Sequence, residues 1–280
     1  MPGGPLFLPV GRLRVGREMG LKTPENRVLI DGLPIDIDDP EAVLESIGEA
    51  IEQRSSGHYI SITNTELMYH GHRSEDLGAY IRGCDFSLCD GVGVIVAGRA
   101  HGRRVRRFNG PILQLECSRY GASRGWRHYY LGGADGSAAE MGERLKAAYP
   151  GLLICGMYEP PFRPLTAEER DAMIADIEAA KPDILWVGLG LPKQERMITS
   201  LMGELKVPWM VGVGAAFDYH SGRVPWAPAL LRRIGAEWLF RLIIQPRIRA
   251  KRYWWSGLWM ISAIGRGLAG RLGARPERRA

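Results

Sequence analysis

A chain of 280 residues with 45% hydrophobic and 24% charged side chains can bury the core of one large α/β domain or two small ones, and disorder is expected only at residues 1–18 and 270–280. The formal charge of +6 is unevenly placed: from Arg223 onward thirteen Lys and Arg stand against two acidic residues, a net +11, which leaves the rest at −5. Only the tail is therefore expected to meet an anionic partner, with nucleic acid and phospholipid headgroups both eligible.

No apolar run reaches the roughly 20 residues needed to span a bilayer. The opening Met-Pro-Gly-Gly-Pro lacks the charged-then-apolar pattern of a signal peptide, so a cytoplasmic location is expected. Cys84, Cys89, Cys117 and Cys155 have neither zinc-ligand spacing nor a dense disulfide pattern and read as buried or idle thiols.

Along the chain, strand-like and helix-like patterns alternate. Residues 28–30 form a short apolar run. Asp39-Pro40 reads as an N-cap with proline in the first helical turn, and Val43, Ile47 and Ile51 fall on one face of the helix that follows. Strands are expected at 58–63 and 86–89, a helix at 111–119, a strand at 128–131, a helix at 138–148 and a strand at 152–155. Thr166-Ala-Glu-Glu169 has capping-box spacing and opens a helix through Ala180. A strand at 184–187, a helix at 194–205 and a strand at 209–213 complete the series. Such alternation predicts a mostly parallel sheet with helices on both faces, a Rossmann-like α/β core, whose binding groups gather at the carboxyl ends of the strands. The character changes near residue 220, giving an expected core of 1–220 and a basic, tryptophan-rich helical appendage of 221–280.

Several loops could carry chemistry. Asp90, at the end of strand 86–89 and followed by Gly-Val-Gly, is either a turn aspartate capping the next helix or a general base. Gly188-Leu-Gly-Leu-Pro-Lys-Gln-Glu195 follows another strand. Its amides, with Gly190 in the turn, suit phosphate, Lys193 adds charge, and Gln194 and Glu195 add hydrogen-bonding groups; it matches neither the dinucleotide fingerprint nor the P-loop. Thr63 and Asn64, at the end of strand 58–63, offer groups suited to sugar hydroxyls but are also ordinary turn formers. Gly132 stands at the strand end after Leu131, and Asn109 is expected to orient sugar hydroxyls together with Asn64 and Gln194. Asp218 is a cap or orients a neighbour.

Asp36-Ile-Asp38 has the Asp-x-Asp pattern of metal-dependent glycosyltransferases, but it precedes a proline-started helix where aspartate is expected as a cap. The six histidines form no metal-binding pattern, so neither a metal nor a cofactor is expected. Residues 253–264 are rich in tryptophan and apolar side chains and flanked by Arg252 and Arg266. They read as a segment in the lipid headgroup zone or as a buried C-terminal helix. Nucleic acid fits less well, because Trp238, Trp254, Trp255 and Trp259 suit poorly a segment that presents phosphate contacts.

Thr63-Asn-Thr-Glu66, Asp90-Gly-Val-Gly93, Val187-Gly-Leu-Gly-Leu-Pro-Lys-Gln-Glu195, Gly212-Val-Gly-Ala-Ala-Phe-Asp218 and Glu237-Trp-Leu-Phe-Arg-Leu242 with Pro246-Arg247 occur in one order over roughly 28–253. Together they resemble the WecG/TagA/CpsF family of bacterial glycosyltransferases. The resemblance implies inverting, metal-independent transfer from a UDP-sugar to a polyprenyl-diphosphate-linked saccharide. It places the catalytic base at Asp90 and a substrate contact at Gln194. It also implies an enzyme peripheral on the inner face of the plasma membrane, with Arg241, Arg247 and Arg252 brought to the site as the appendage docks. The chain departs from the family pattern at Ile62, Trp226 and Gln245, where Thr, Arg and Glu are usual. The donor sugar, the acceptor and homo-oligomerisation stay open. The competing expectations are an NAD-dependent oxidoreductase and a non-enzymatic membrane-surface module.

Overall fold

The computed structural model describes residues 26–273. Among these, β3 (His58–Asn64), β4 (Phe86–Asp90), β5 (Arg127–Gly132), β6 (Leu153–Tyr158), β7 (Ile184–Gly188) and β8 (Trp209–Gly212) form a parallel sheet in the order β4-β3-β8-β7-β5-β6. Successive side chains of a strand point to opposite faces, and both faces of β3, β4, β5, β7 and β8 are covered, so these strands are mostly buried and mostly apolar, with His58, Ser61, Thr63, Ser87 and His128 buried among the apolar residues. In β7, Ile184 and Trp186 enter one core layer while Leu185 and Val187 enter the other.

The first layer holds Leu67 and Met68 of α2 (Thr65–Arg73), Tyr80 and Ile81 of α3 (Glu75–Gly83), Val94 and Ala97 of α4 (Val92–Ala100), and Ile198 and Leu201 of α8 (Lys193–Leu201). Met173 and Ile177 of α7 (Ala167–Ala180) belong to it as well. The opposite layer holds Val43 and Ile47 of α1 (Pro40–Glu52), Leu113 and Cys117 of α5 (Gly110–Ala122), Met141 and Leu145 of α6 (Ser137–Ala148), and Phe217 of α9 (Ala216–Ser221). The capping box that opens α7 is present with both of its hydrogen bonds.

The sequence patterns and the structure differ at several points. The apolar run at 28–30 is one arm of an antiparallel hairpin, β1 (Arg27–Ile30) with β2 (Leu33–Asp36), outside the main sheet. Its turn residues Asp31 and Gly32 have φ of 50° and 77°, as an Asp-Gly hairpin turn requires. Asp36 is a buried strand residue rather than a cap: it accepts from Arg27 Nε at 2.8 Å and from the Ser87 amide at 2.5 Å. Asp39 occupies the N-cap position of α1 without a side-chain cap bond, because its carboxylate pairs with Arg106. The helix expected at 194–205 stops at Leu201, before the turn around Gly203.

Beyond Gly222, which ends α9 with φ of 80°, come α10 (Ala229–Arg233), α11 (Glu237–Ile244) and α12 (Pro246–Gly273). The long α12 packs on α2 and α4, burying Ser256, Met260, Ala263 and Gly267 on one face. Its other face exposes Trp254, Trp255, Leu258, Ile261, Leu268 and Leu272. The buried C-terminal helix expected at 253–264 is thus found on one side of α12, while the other side is exposed. Residues 270–273 are helical, against the disorder expected there, while 1–18 and 274–280 lie outside the described residues. No described helix is long and apolar enough to cross a membrane.

Candidate active site

Asp90 is the last residue of β4, in parallel register with Asn64 at the end of β3. Gly91 follows at φ 104°, a conformation that disfavours any residue with a Cβ, and this turn starts α4 immediately after the carboxylate. The Asp90 side chain keeps 22% of its surface exposed, so it is open to a ligand. Asn64 Oδ1 accepts the Leu67 amide at 2.9 Å and caps α2, which leaves its NH2 to donate elsewhere. Thr63 is fully buried, its hydroxyl shared with Ser61 and Ser87 at 2.8 Å each, so it supports the strand end from inside.

The group nearest Asp90 in charge is one the sequence patterns do not single out. Arg107 Nη2 lies 3.9 Å from Asp90 Oδ1, and the same nitrogen pairs with the buried Glu237 of α11. Its Nη1 donates to the Arg232 carbonyl at 3.0 Å. Glu237 also accepts from Trp226 Nε1 at 2.9 Å, and the Trp226 ring is stacked on Tyr219 at 5.8 Å and covered by the Arg232 guanidinium at 4.3 Å. Trp226 thus gives Glu237 a neutral donor beside the Arg107 cation. Arg107 sits two residues before Asn109, which is buried and caps α5 by accepting the Ile112 amide at 3.1 Å.

The other cluster lies at the ends of β5, β7 and β8. Gly132 and Gly188 are register partners, and a Cβ on Gly132 would lie 2.7 Å from the Gly188 carbonyl, so only glycine permits this approach. Gly190 turns with φ of 73°, and Lys193 is exposed at the start of α8. Gln194 is buried and ties the loops together: its Oε1 accepts the Gly214 amide at 2.9 Å and its Nε2 donates to Glu195 Oε1 at 2.9 Å. With strands about 4.8 Å apart, β4 and β7 are separated by roughly 14 Å. The Asp90 and Gly190 ends therefore lie along the same carboxyl edge, three strand spacings apart.

Glu195 is 2% exposed, and its Oε2 has no hydrogen-bond partner among the described residues. Burial pushes its carboxyl up to about 7; hydrogen bonds from its own backbone and from Gln194 pull it down, and Glu66 pushes it further up. The folded chain thus holds this proton more tightly than the unfolded chain, whose glutamate titrates near 4.5. Stability from this group is complete below 4.5 and is lost as pH rises towards 7. Glu195→Gln is expected to flatten the fall of the urea midpoint across that window relative to the unsubstituted chain, and equal slopes for the two proteins would contradict the assignment.

The appendage reaches both regions. Arg241 lies over the Tyr219 ring at 5.0 Å. Burial raises the Asp218 carboxyl, and Arg223, Arg241 and Arg249 pull it back. Arg249 rather than Arg247 is thus the early α12 arginine acting on Asp218, while Arg247 is exposed. Arg252 pairs with the buried Glu66 at the start of α2, clamping α12 to the core.

Residues 28–271 match the model of the glycosyl transferase WecG/TagA/CpsF family. The chain is 30% identical over 195 residues to the N-acetylglucosaminyldiphosphoundecaprenol N-acetyl-beta-D-mannosaminyltransferase of Bacillus spizizenii, covering 69% of this chain and 74% of that protein. Proteins of the same name match from Bacillus subtilis, at 27% identity over 68% of this chain and 73% of the relative, and from Staphylococcus aureus, at 25% over 81% and 89%.

Proposed function

The chain belongs to the WecG/TagA/CpsF glycosyltransferase family, and from that premise we propose that it transfers a sugar from a UDP-sugar to a polyprenyl-diphosphate-linked saccharide, with inversion, at the cytoplasmic face of the membrane. The observation that carries this reading is the open Asp90 carboxylate at the carboxyl edge of the sheet, beside Asn64 and 3.9 Å from Arg107. The relatives' names, which specify a diphosphoundecaprenol-linked N-acetylglucosamine, support the class of acceptor.

In the proposed reaction Asp90 takes the proton of an acceptor hydroxyl as that oxygen bonds to the donor's anomeric carbon, and the bond from that carbon to the UDP oxygen breaks. Arg107, braced by Glu237, holds the carboxylate in place. The turn at 188–194 supplies backbone amides to the diphosphate, with Lys193 near it and Gln194 fixing the loop geometry. Arg241 and Arg249 bring positive charge from the appendage to meet the departing UDP, so that the leaving group is balanced by guanidinium groups in place of a divalent ion. The exposed apolar face of α12 lies in the headgroup zone, where tryptophan and leucine partition favourably.

Calorimetry separates this reading from an oxidoreductase and from a module that binds only membrane. UDP and UDP-sugars are expected to give saturable heats and NAD none. Binding of NAD without binding of UDP would overturn the proposal.

A further inference from the structure

A second cleft lies at the other end of α4, away from Asp90, lined by Arg99, Gly102, Arg103, Arg104 and Arg271. All four arginines are exposed, no carboxylate lines the cleft, and none of the four is in a described ion pair with a carboxylate. The arrangement is held from beneath. Val105 is buried and its side chain packs against Gly98, while Arg271 Nη1 donates to the Arg99 carbonyl at 3.1 Å. Four guanidinium groups around one hollow repel each other unless an anion joins them, and guanidinium geometry suits phosphate oxygens.

The position of the cleft identifies the anion's source. Arg271 lies on the last turn of α12, between the exposed Leu268 and Leu272. These continue the outward apolar row of Trp254, Leu258 and Ile261, whose spacing of three and four residues keeps them on one side. From Trp254 to Arg271 the helix rises about 25 Å. A bilayer that accepts the apolar row therefore carries its headgroup phosphates up to the cleft.

The geometry points to a binding site for the phosphate of an anionic phospholipid headgroup, formed by Arg99, Arg103, Arg104 and Arg271, that holds the far end of α12 on the bilayer. The Arg252–Glu66 clamp fixes the near end of the helix to the core, so two attachments along one helix set how the protein lies on the surface. This inference rests on the membrane docking proposed above and adds the lipid class and the contact residues.

The test is co-sedimentation of the full chain with vesicles of phosphatidylcholine alone and of phosphatidylcholine with about three parts in ten phosphatidylglycerol. Arg103→Gln/Arg104→Gln is compared with Arg119→Gln/Arg124→Gln, which removes equal charge from the last turn of α5 and the turn after it, on the opposite face of the sheet. The cleft variant is expected to bind the anionic vesicles about 30-fold more weakly, at about fivefold per arginine, with binding to neutral vesicles and the thermal midpoint unchanged. The α5 variant is expected to bind as the unsubstituted chain does. Equal binding by the cleft variant and the unsubstituted chain would show that the cleft is not the site, and an equal loss in the α5 variant would reduce the effect to net charge. If the unsubstituted chain binds neither vesicle, the docking reading itself fails, a result distinct from the other two.

Discussion

Asp90→Asn is expected to lower the turnover number by about 10²–10⁴-fold while leaving UDP affinity and the thermal midpoint within experimental error. The substitution keeps side-chain size and removes only the ability to accept a proton at the carboxylate. Fold stability does not depend on that charge, since the residue stands partly exposed at a strand end and its guanidinium neighbour at 3.9 Å is also paired with Glu237. Steady-state kinetics with a short-chain lipid-linked acceptor, with calorimetry of UDP on the same preparation, separates chemistry from binding. Turnover within a few-fold of the unsubstituted enzyme would remove Asp90 from the mechanism.

The second large effect is expected at Arg107. Arg107→Met leaves the buried Glu237 with the Trp226 indole as its one remaining side-chain donor among the described residues and removes the cation beside Asp90. Removing one partner of a buried ion pair costs about 3 kcal/mol, because the other charge stays desolvated. Activity should fall as well. Adding Glu237→Gln separates the two roles, since the amide oxygen can still accept from Trp226 but carries no charge. The double variant is expected to recover most of the urea-measured stability and little of the activity. Recovery of activity along with stability would mean that Arg107 braces α11 and does nothing for Asp90.

The parallel sheet was legible because strands covered on both faces are mostly apolar, as 184–187 is throughout and as 58–63 and 86–89 are apart from His58, Ser61, Thr63 and Ser87. Asp90 and the 188–195 turn were legible for a related reason, since ligand-facing residues in such sheets follow directly on strand ends. The antiparallel hairpin was signalled by Asp31-Gly32 between two short apolar runs, yet the second run, Leu33-Pro-Ile-Asp36, contains a proline that reads as a break. Arg107, Trp226 and Glu237 were not legible as a unit. They meet only because α11 docks beside the end of β4, and nothing local to residues 107 or 237 records a contact spanning 130 positions of chain. The appendage arginines show the same limit. The helical pattern places Arg247, Arg249 and Arg252 on one element, but which of them turns to Asp218 and which to Glu66 depends on the rotation of α12 against α2 and α4.

The proposed reaction is a single displacement in which one carboxylate deprotonates the incoming hydroxyl while UDP leaves from the opposite side. Its most direct measurement is the anomeric configuration of the product made from α-linked UDP-sugars and a polyprenyl-diphosphate-linked acceptor, read by NMR coupling across the anomeric carbon. A β-linked product is expected, and its formation is expected to be lost in Asp90→Asn. An α-linked product, or no transfer from any UDP-sugar, would contradict the single displacement.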